Sequence, residues 1–364
     1  MVTILSARRT AVMPRGGAFA RLAPHELAAP VIRAVLDDAG ITADRVDEVI
    51  LSNALGGGGN PARVAALAAG LPERVAGISI DQQCAGGLSA IGLGAALIAS
   101  GQAGVVIAGG AESWSRRPIR LATAPGQPPV AYEQPPFTPW PDRDPDMAEA
   151  ADALGRSLGI SRDWADGWAI ESHARARAAA DRLAVEILPL EGMGLDGFTR
   201  PLTPRLAARA PVVTGAVTAA NAAVAADASA FVLLVRDDLV PPRARRAAIL
   251  AARTLGAAPD QPGLAPVPAI AETLAAAGLR ASHLAQAEIM EAYAVQAIAC
   301  VEGAGIDPAI VNPRGGALAR GHPIGASGAI LAVRLFHDLA PGATGLAAIA
   351  SAGGIGAAMV LRGA

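Results

Sequence analysis

Hydrophobic positions along the chain fall into two kinds of run that alternate. Short, nearly continuous apolar stretches recur as "RVDEVILSNAL" (45–55), "GVVIAGGAE" (104–112), "AFVLLVRDD" (230–238), "AAILAARTL" (247–255), "AQAEIMEAY" (285–293) and "GLAAIASAGG" (345–354). Runs of this kind predict buried strands. "VTILSARRT" (2–10) reads as a first strand. Ala-rich segments such as "IGLGAALIASG" (91–101) and "AILAVRLFHDL" (329–339) predict helices between them. Strands alternating with helices predict an α/β protein.

The pattern occurs twice. "AGITADRVDEVILSNA" (39–54) aligns with "AGLRASHLAQAEIMEA" (277–292) at an offset of 238 residues. The same offset carries "CAGGLSA" (84–90) onto "HPIGASG" (322–328), matching Gly87 with Gly325, Ser89 with Ser327 and Cys84 with His322. An apolar helix follows each match, then a strand ending in glycine at a slightly larger offset. One offset over two separated matches implies two copies of one α/β unit. Packed about a pseudo-twofold axis, the copies bring equivalent helix starts together, and Cys84 with His322 to one site. Between the copies lies a Pro-rich, irregular stretch (113–146) with two of the four Trp residues, then a helical segment (146–182). The expected organisation is a first half over 1–240, with an insertion at about 114–212, and a second half over 241–364.

Composition narrows the chemistry. The chain has 364 residues, is 52% hydrophobic and 17% charged, and carries a formal net charge of −2 with no long run of one sign. No nucleic-acid footprint is present. All basic residues are Arg, so a Schiff-base or P-loop lysine is excluded. Two cysteines make neither a disulfide framework nor a cysteine-based zinc site. The glycine runs do not form a dinucleotide fingerprint, and no metal or other resident cofactor is implied. The start lacks the apolar core of a secretory signal, and no apolar run is long enough for a membrane span. These features lead us to expect a cytoplasmic protein with no membrane partner.

Cys84 follows an apolar stretch and opens a Gly-rich helix. A helix start offers free N–H groups and positive partial charge, which favour a thiolate. An inert buried cysteine is the commoner fate of this residue type; pairing with a histidine through the repeat tips the balance to a nucleophile. His322, beside Pro323 in "GGALARGHPIGASGA" (315–329), is a poor core filler and a candidate base or oxyanion donor.

Four blocks, "CAGGLSAI", "MEAYAVQA", "GGALARGHPIGASGA" and "SAGGIGAAMVL", resemble the signature blocks of the thiolases, in thiolase order. The segments "DPDMAEAADALGRSLGISRDWADGWAIESHARA" and "PVVTGAVTAANAAVAADASAFVLLV" resemble the thiolase loop domain and the return into the core. The resemblance covers essentially the whole chain. It implies a five-layered αβαβα fold of two similar halves with a loop-domain insertion, and a homodimer or homotetramer. It implies an acyl-CoA C-acyltransferase of fatty acid metabolism, with a coenzyme A thioester as substrate. It further implies that Cys84 is the residue acylated, His322 its activator, and the backbone N–H groups of Cys84 and Ala352 an oxyanion hole. Met147, Ala222, Ala223, Met290, Ala292 and Tyr293 are expected to line the substrate and coenzyme A pocket.

The chain departs from the pattern in places. The block Asn-Glu-Ala-Phe-Ala reads Met290-Glu291-Ala292-Tyr293-Ala294, and a thioether cannot hold the water that the asparagine holds. Ala350 stands at the second catalytic cysteine, with Ser351 adjacent, and Cys300 lies on an apolar helix face. Ala223 replaces a serine, and Asp146 a histidine, at coenzyme A contacts. These changes leave acylation of Cys84 intact and predict an impaired carbon–carbon step. The alternatives are a divergent enzyme, whose acyl group goes to hydrolysis, a heteroatom or decarboxylative condensation, and a non-catalytic thiolase-like subunit.

Overall fold

The computed structural model describes residues 2–241 and 244–364. The first half contains β1 (Val2–Thr10), α1 (Pro24–Ala39), β2 (Glu48–Ser52), α2 (Pro61–Ala68), β3 (Ile78–Ile80), α3 (Gly86–Ala99) and β4 (Val105–Glu112). The excursion follows, with α4 (Met147–Leu158) and α5 (Arg162–Ala178), before β5 (Ala226–Arg236) returns to the sheet. The second half contains β6 (Ala247–Gly256), α6 (Pro266–Ala276), β7 (Gln286–Ile289), α7 (Ala294–Gly303), α8 (Ile324–Asp338), β8 (Thr344–Ser351) and β9 (Ile355–Gly363).

The two halves share one strand order. The first runs β3-β2-β4-β5-β1 and the second β7-β8-β9-β6, joined where Thr3 and Ile4 of β1 pair with Ala248 and Ala247 of β6. In each half one corresponding pair is parallel (β2 with β4, β7 with β8) and the next two pairings toward the junction are antiparallel. A lone parallel bridge between Ala287 and Val311 occupies the place of β3. The repeat read from the sequence is thus a repeat of topology.

Five layers result. Val31, Ile32 and Val35 of α1 pack on Val49, Ile107 and Phe231 at one outer face. Leu88 and Ile91 of α3, with Ile330 and Leu331 of α8, fill the centre against Val106, Val232, Ile349 and Met359. Ile270 of α6 and Val301 of α7 cover Leu346 and Val360 at the other outer face. α8 is buried from Gly325 through Phe336, because sheets enclose it on both sides; this is why its sequence is apolar all round.

The two central helices meet backbone to backbone. A Cβ on Gly87 would lie 2.8 Å from Ala329 N, and one on Gly328 2.5 Å from Leu88 N. Small residues here let the helix starts converge. The excursion is ordered: Arg120–Ala122 pairs with Val130–Tyr132, and Leu154, Ile160 and Ala169 pack on Val295, Ile298 and Leu318. Buried ion pairs from Arg9 to Glu186 and Asp196, and from Arg334 to Glu186, tie β1 and α8 to the excursion. No helix among the described residues is long and apolar enough to cross a membrane.

Candidate active site

Cys84 lies in a single 3-10 turn, Gln83–Ala85, that leads directly into α3. Gln83 takes a left-handed φ of 49°, a conformation costly for a residue with a Cβ. Asp81 supports it, its Oδ1 accepting from Gln83 N at 2.8 Å. The chain therefore turns sharply just before the thiol. His322 comes from the corresponding place before α8. Its backbone bridges Ala225, and its N–H donates to Val224 O at 2.8 Å. Cys84 Sγ and His322 Nε2 are 3.0 Å apart, at the wall of a cavity of about 400 Å³.

The hydrogen bonds assign the histidine tautomer. His322 Nδ1 is 2.7 Å from Ser327 Oγ, and that hydroxyl donates its single hydrogen to Pro323 O at 3.1 Å. Ser327 must then accept from Nδ1–H, which leaves Nε2 bare and facing the thiol as a base. Ser327→Ala removes this control and is expected to slow acylation of Cys84 by about tenfold, since an ordered base contributes part of roughly 10²–10⁴-fold. A stopped-flow acylation rate equal to wild type would contradict the assignment.

Both shifts run toward a neutral resting pair, against the expectation of a thiolate. Burial pushes the Cys84 thiol well up, and the Glu112 and Asp81 carboxylates push it the same way. Its own backbone N–H pulls against them without prevailing. Burial, with the Arg320 charge, pushes His322 down. The turn before α3 supplies partial charge, but a desolvated cavity penalises a full charge more.

Two strand ends hold the helix starts in place. Glu112, at the end of β4, accepts from Gly325 N and Ala54 N at 3.0 Å and Leu55 N at 3.2 Å, and burial raises its pKa to about 7. Ser351, at the end of β8, donates to Gln82 O at 2.9 Å. Each strand end thus reaches the helix start of the opposite half. The sequence reading gave Glu112, Ser351 and Ser327 no such role; the signal was the slightly larger offset of the strands that end at residues 112 and 351.

Cys84, His322, Met147, Ala222, Ala223, Ala292, Tyr293 and Ala352 all line the cavity, as do Ala350 and Ser351. Met290 does not, which corrects its expected place in the pocket. It follows β7 directly, donates its N–H to Ala348 O, and is fully buried in the central core. Ser351 continues the face of Ala347 and Ile349 that meets the central core, so side-chain alternation turns it, rather than Ala350, toward the helix starts. Cys300 is buried in the outer core, and Glu291 is held away from the thiol by Trp168, Ser172 and Asn312. Asp146 caps α4, accepting from Ala148 N and Glu149 N.

Residues 2–238 match the thiolase N-terminal domain and residues 243–363 the thiolase C-terminal domain. The acetyl-CoA acetyltransferase of Rhizobium meliloti (strain 1021) is 37% identical over 393 residues, which cover 99% of this chain and 98% of that protein. That of Shinella zoogloeoides is 37% identical over 385 residues, with coverage of 99% and 98%. The crystal structure of the Bacillus anthracis acetyl-CoA acetyltransferase superposes with a TM-score of 0.90 at 31% identity, covering 100% of this chain and 98% of that one. Nothing in these matches supports the divergent or non-catalytic alternatives. The repeated topology, the paired helix starts and these whole-length matches together establish that the chain belongs to the thiolase family and is an acyltransferase.

Proposed function

We propose that the protein transfers acyl groups to and from coenzyme A through a thioester on Cys84. The observation that carries this reading is the 3.0 Å contact between Cys84 Sγ and the bare Nε2 of His322 at the cavity wall. In the first step the thiol attacks the thioester carbon of an acyl-CoA while His322 takes its proton. The backbone N–H groups of Cys84 and Ala352 receive the charge that develops on the carbonyl oxygen. The C–S bond to coenzyme A breaks, His322 returns the proton to the departing thiolate, and the acyl group rests on Cys84. His322 is then neutral again, as the base nearest the acyl-enzyme for the transfer that follows. The same reading takes the coenzyme A thioester as substrate, without a resident cofactor, in a cytoplasmic homo-oligomer.

Intact-mass measurement after mixing with acetyl-CoA at neutral pH is expected to show one added acyl group, and none for Cys84→Ala. Absence of an adduct with acetyl-CoA and with longer acyl-CoA thioesters would overturn the proposal. With Ala350 at the place of the second cysteine, thiolysis of acetoacetyl-CoA by coenzyme A to two molecules of acetyl-CoA is expected to run more slowly than acylation of Cys84.

A further inference from the structure

Two guanidinium groups, those of Arg117 and Arg120, line the cavity beside Cys84, and only one of them has a carboxylate. Arg117 is paired with Glu133 and stacks on the Trp114 ring. Arg120 is half-buried, donates from Nη2 to Ala54 O at 2.9 Å, and makes no ion pair among the described residues. The neighbouring carboxylates are engaged elsewhere. Asp146 caps α4, and Glu112 receives Asn53 Nδ2, Ala54 N, Leu55 N and Gly325 N. Trp114 Nε1, on the same wall, is buried and also lacks an acceptor. A guanidinium with free N–H groups is the side chain best shaped to grip a carboxylate or a phosphate.

Hydrogen bonds limit the distance of Arg120 from the chemistry. Ala54 N and Gly325 N donate to one atom, Glu112 Oε2, at 3.0 Å each, so they lie within about 6 Å of each other. A Cβ on Gly325 would meet Asn53 Cα at 3.0 Å, so this segment abuts the start of α8. Arg120 bonds the carbonyl of the same Ala54, which places its guanidinium about 10 Å from the helix start that follows His322. That distance selects the anion. The pantetheine arm of coenzyme A puts about 13 bonds between sulfur and phosphate, a reach of roughly 15 Å when extended. An acyl chain of about six carbons, ending in a carboxylate with a hydrogen bond to the guanidinium, covers about 10 Å.

We propose that the cavity selects acyl-CoA thioesters whose acyl chain ends in a carboxylate, and that Arg120 receives that carboxylate. The inference rests on the acyl-Cys84 reading. A charge-assisted pair in a largely apolar cavity discriminates against a chain that ends in a methyl group, which leaves the guanidinium without an acceptor.

The test compares rates of Cys84 acylation from adipyl-CoA, its monomethyl ester and hexanoyl-CoA, in wild type, Arg120→Leu and Arg120→Lys. The expected result is a preference of about tenfold or more for adipyl-CoA over hexanoyl-CoA in wild type. The ratio should fall to unity or below in Arg120→Leu and lie between in Arg120→Lys, and the uncharged ester should gain nothing over hexanoyl-CoA. Each ratio is taken within one protein, and the wild-type ratio stands as a test even if a variant does not fold. Equal wild-type rates for adipyl-CoA and hexanoyl-CoA, or a ratio unmoved by Arg120→Leu, would overturn the proposal. So would a loss in Arg120→Leu that is the same for all three thioesters, which would assign Arg120 to the phosphates of coenzyme A. No adduct from any of the three would instead remove the acyl-enzyme reading, and this inference with it.

Discussion

An enzyme with His322 replaced by alanine is expected to acylate Cys84 about 10²- to 10⁴-fold more slowly at neutral pH. The reason is the neutral resting pair. Desolvation favours the protonated thiol and the unprotonated imidazole, so wild type is expected to depend on proton transfer across the 3.0 Å contact at the moment of attack. Burial depresses the His322 pKa, so the base remains available through the neutral range and the wild-type rate is expected to be flat there. Without His322 only the rare thiolate reacts. Its fraction rises about tenfold per pH unit below the thiol pKa, which burial has raised. The variant should therefore gain rate steadily with alkalinity while wild type does not. Single-turnover acylation followed across neutral and mildly alkaline pH separates the two, and a variant with a flat profile would refute the neutral-pair mechanism.

Glu291→Ala is expected to destabilise the fold by about 4 kcal/mol. The carboxylate is buried and accepts from Trp168 Nε1 at 3.1 Å, Ser172 Oγ at 2.8 Å, Asn312 Nδ2 at 2.8 Å and Leu318 N at 3.1 Å. Alanine leaves these donors facing a cavity, and each unsatisfied buried donor costs about 1–3 kcal/mol, less when neighbours relax together. The effect should reach the chemistry, because Leu318 lies in the helical turn Ala317–Arg320 that leads into His322. Urea denaturation should show a lower midpoint, and acylation should slow even where the variant remains folded. Glu291→Gln keeps one strong acceptor and should fall between. A midpoint unchanged in the alanine variant would show that the four contacts do not hold the segment.

Much of the architecture was legible because the signals were long or repeated. Continuous apolar runs gave the strands, and one offset gave both the duplicated topology and the meeting of Cys84 with His322. What stayed hidden depends on direction and environment. Alignment placed Met290 and Ala350 at family positions but not the way their side chains turn. The strand end buries Met290, and side-chain alternation sends Ser351 rather than Ala350 toward the centre. The protonation of Cys84 was illegible because burial is a property of the assembled layers, whereas a helix start is visible in the sequence. Ser327 appeared only as a repeat match, since its bond to His322 depends on how the first turn of α8 winds.

The convergence of the two helix starts bears on how such a site can originate. Two separate, identical copies of the half, docked about a true twofold axis, would present the same residue twice at that axis: a thiol to a thiol, or an imidazole to an imidazole. At those equivalent positions a nucleophile would face only another nucleophile, and a base only another base. Joining the copies in one polypeptide lets each mutate alone, and Cys84 facing His322 across 238 residues is the product of that independence. Symmetry delivers the meeting point, and covalent linkage supplies the difference that makes it reactive.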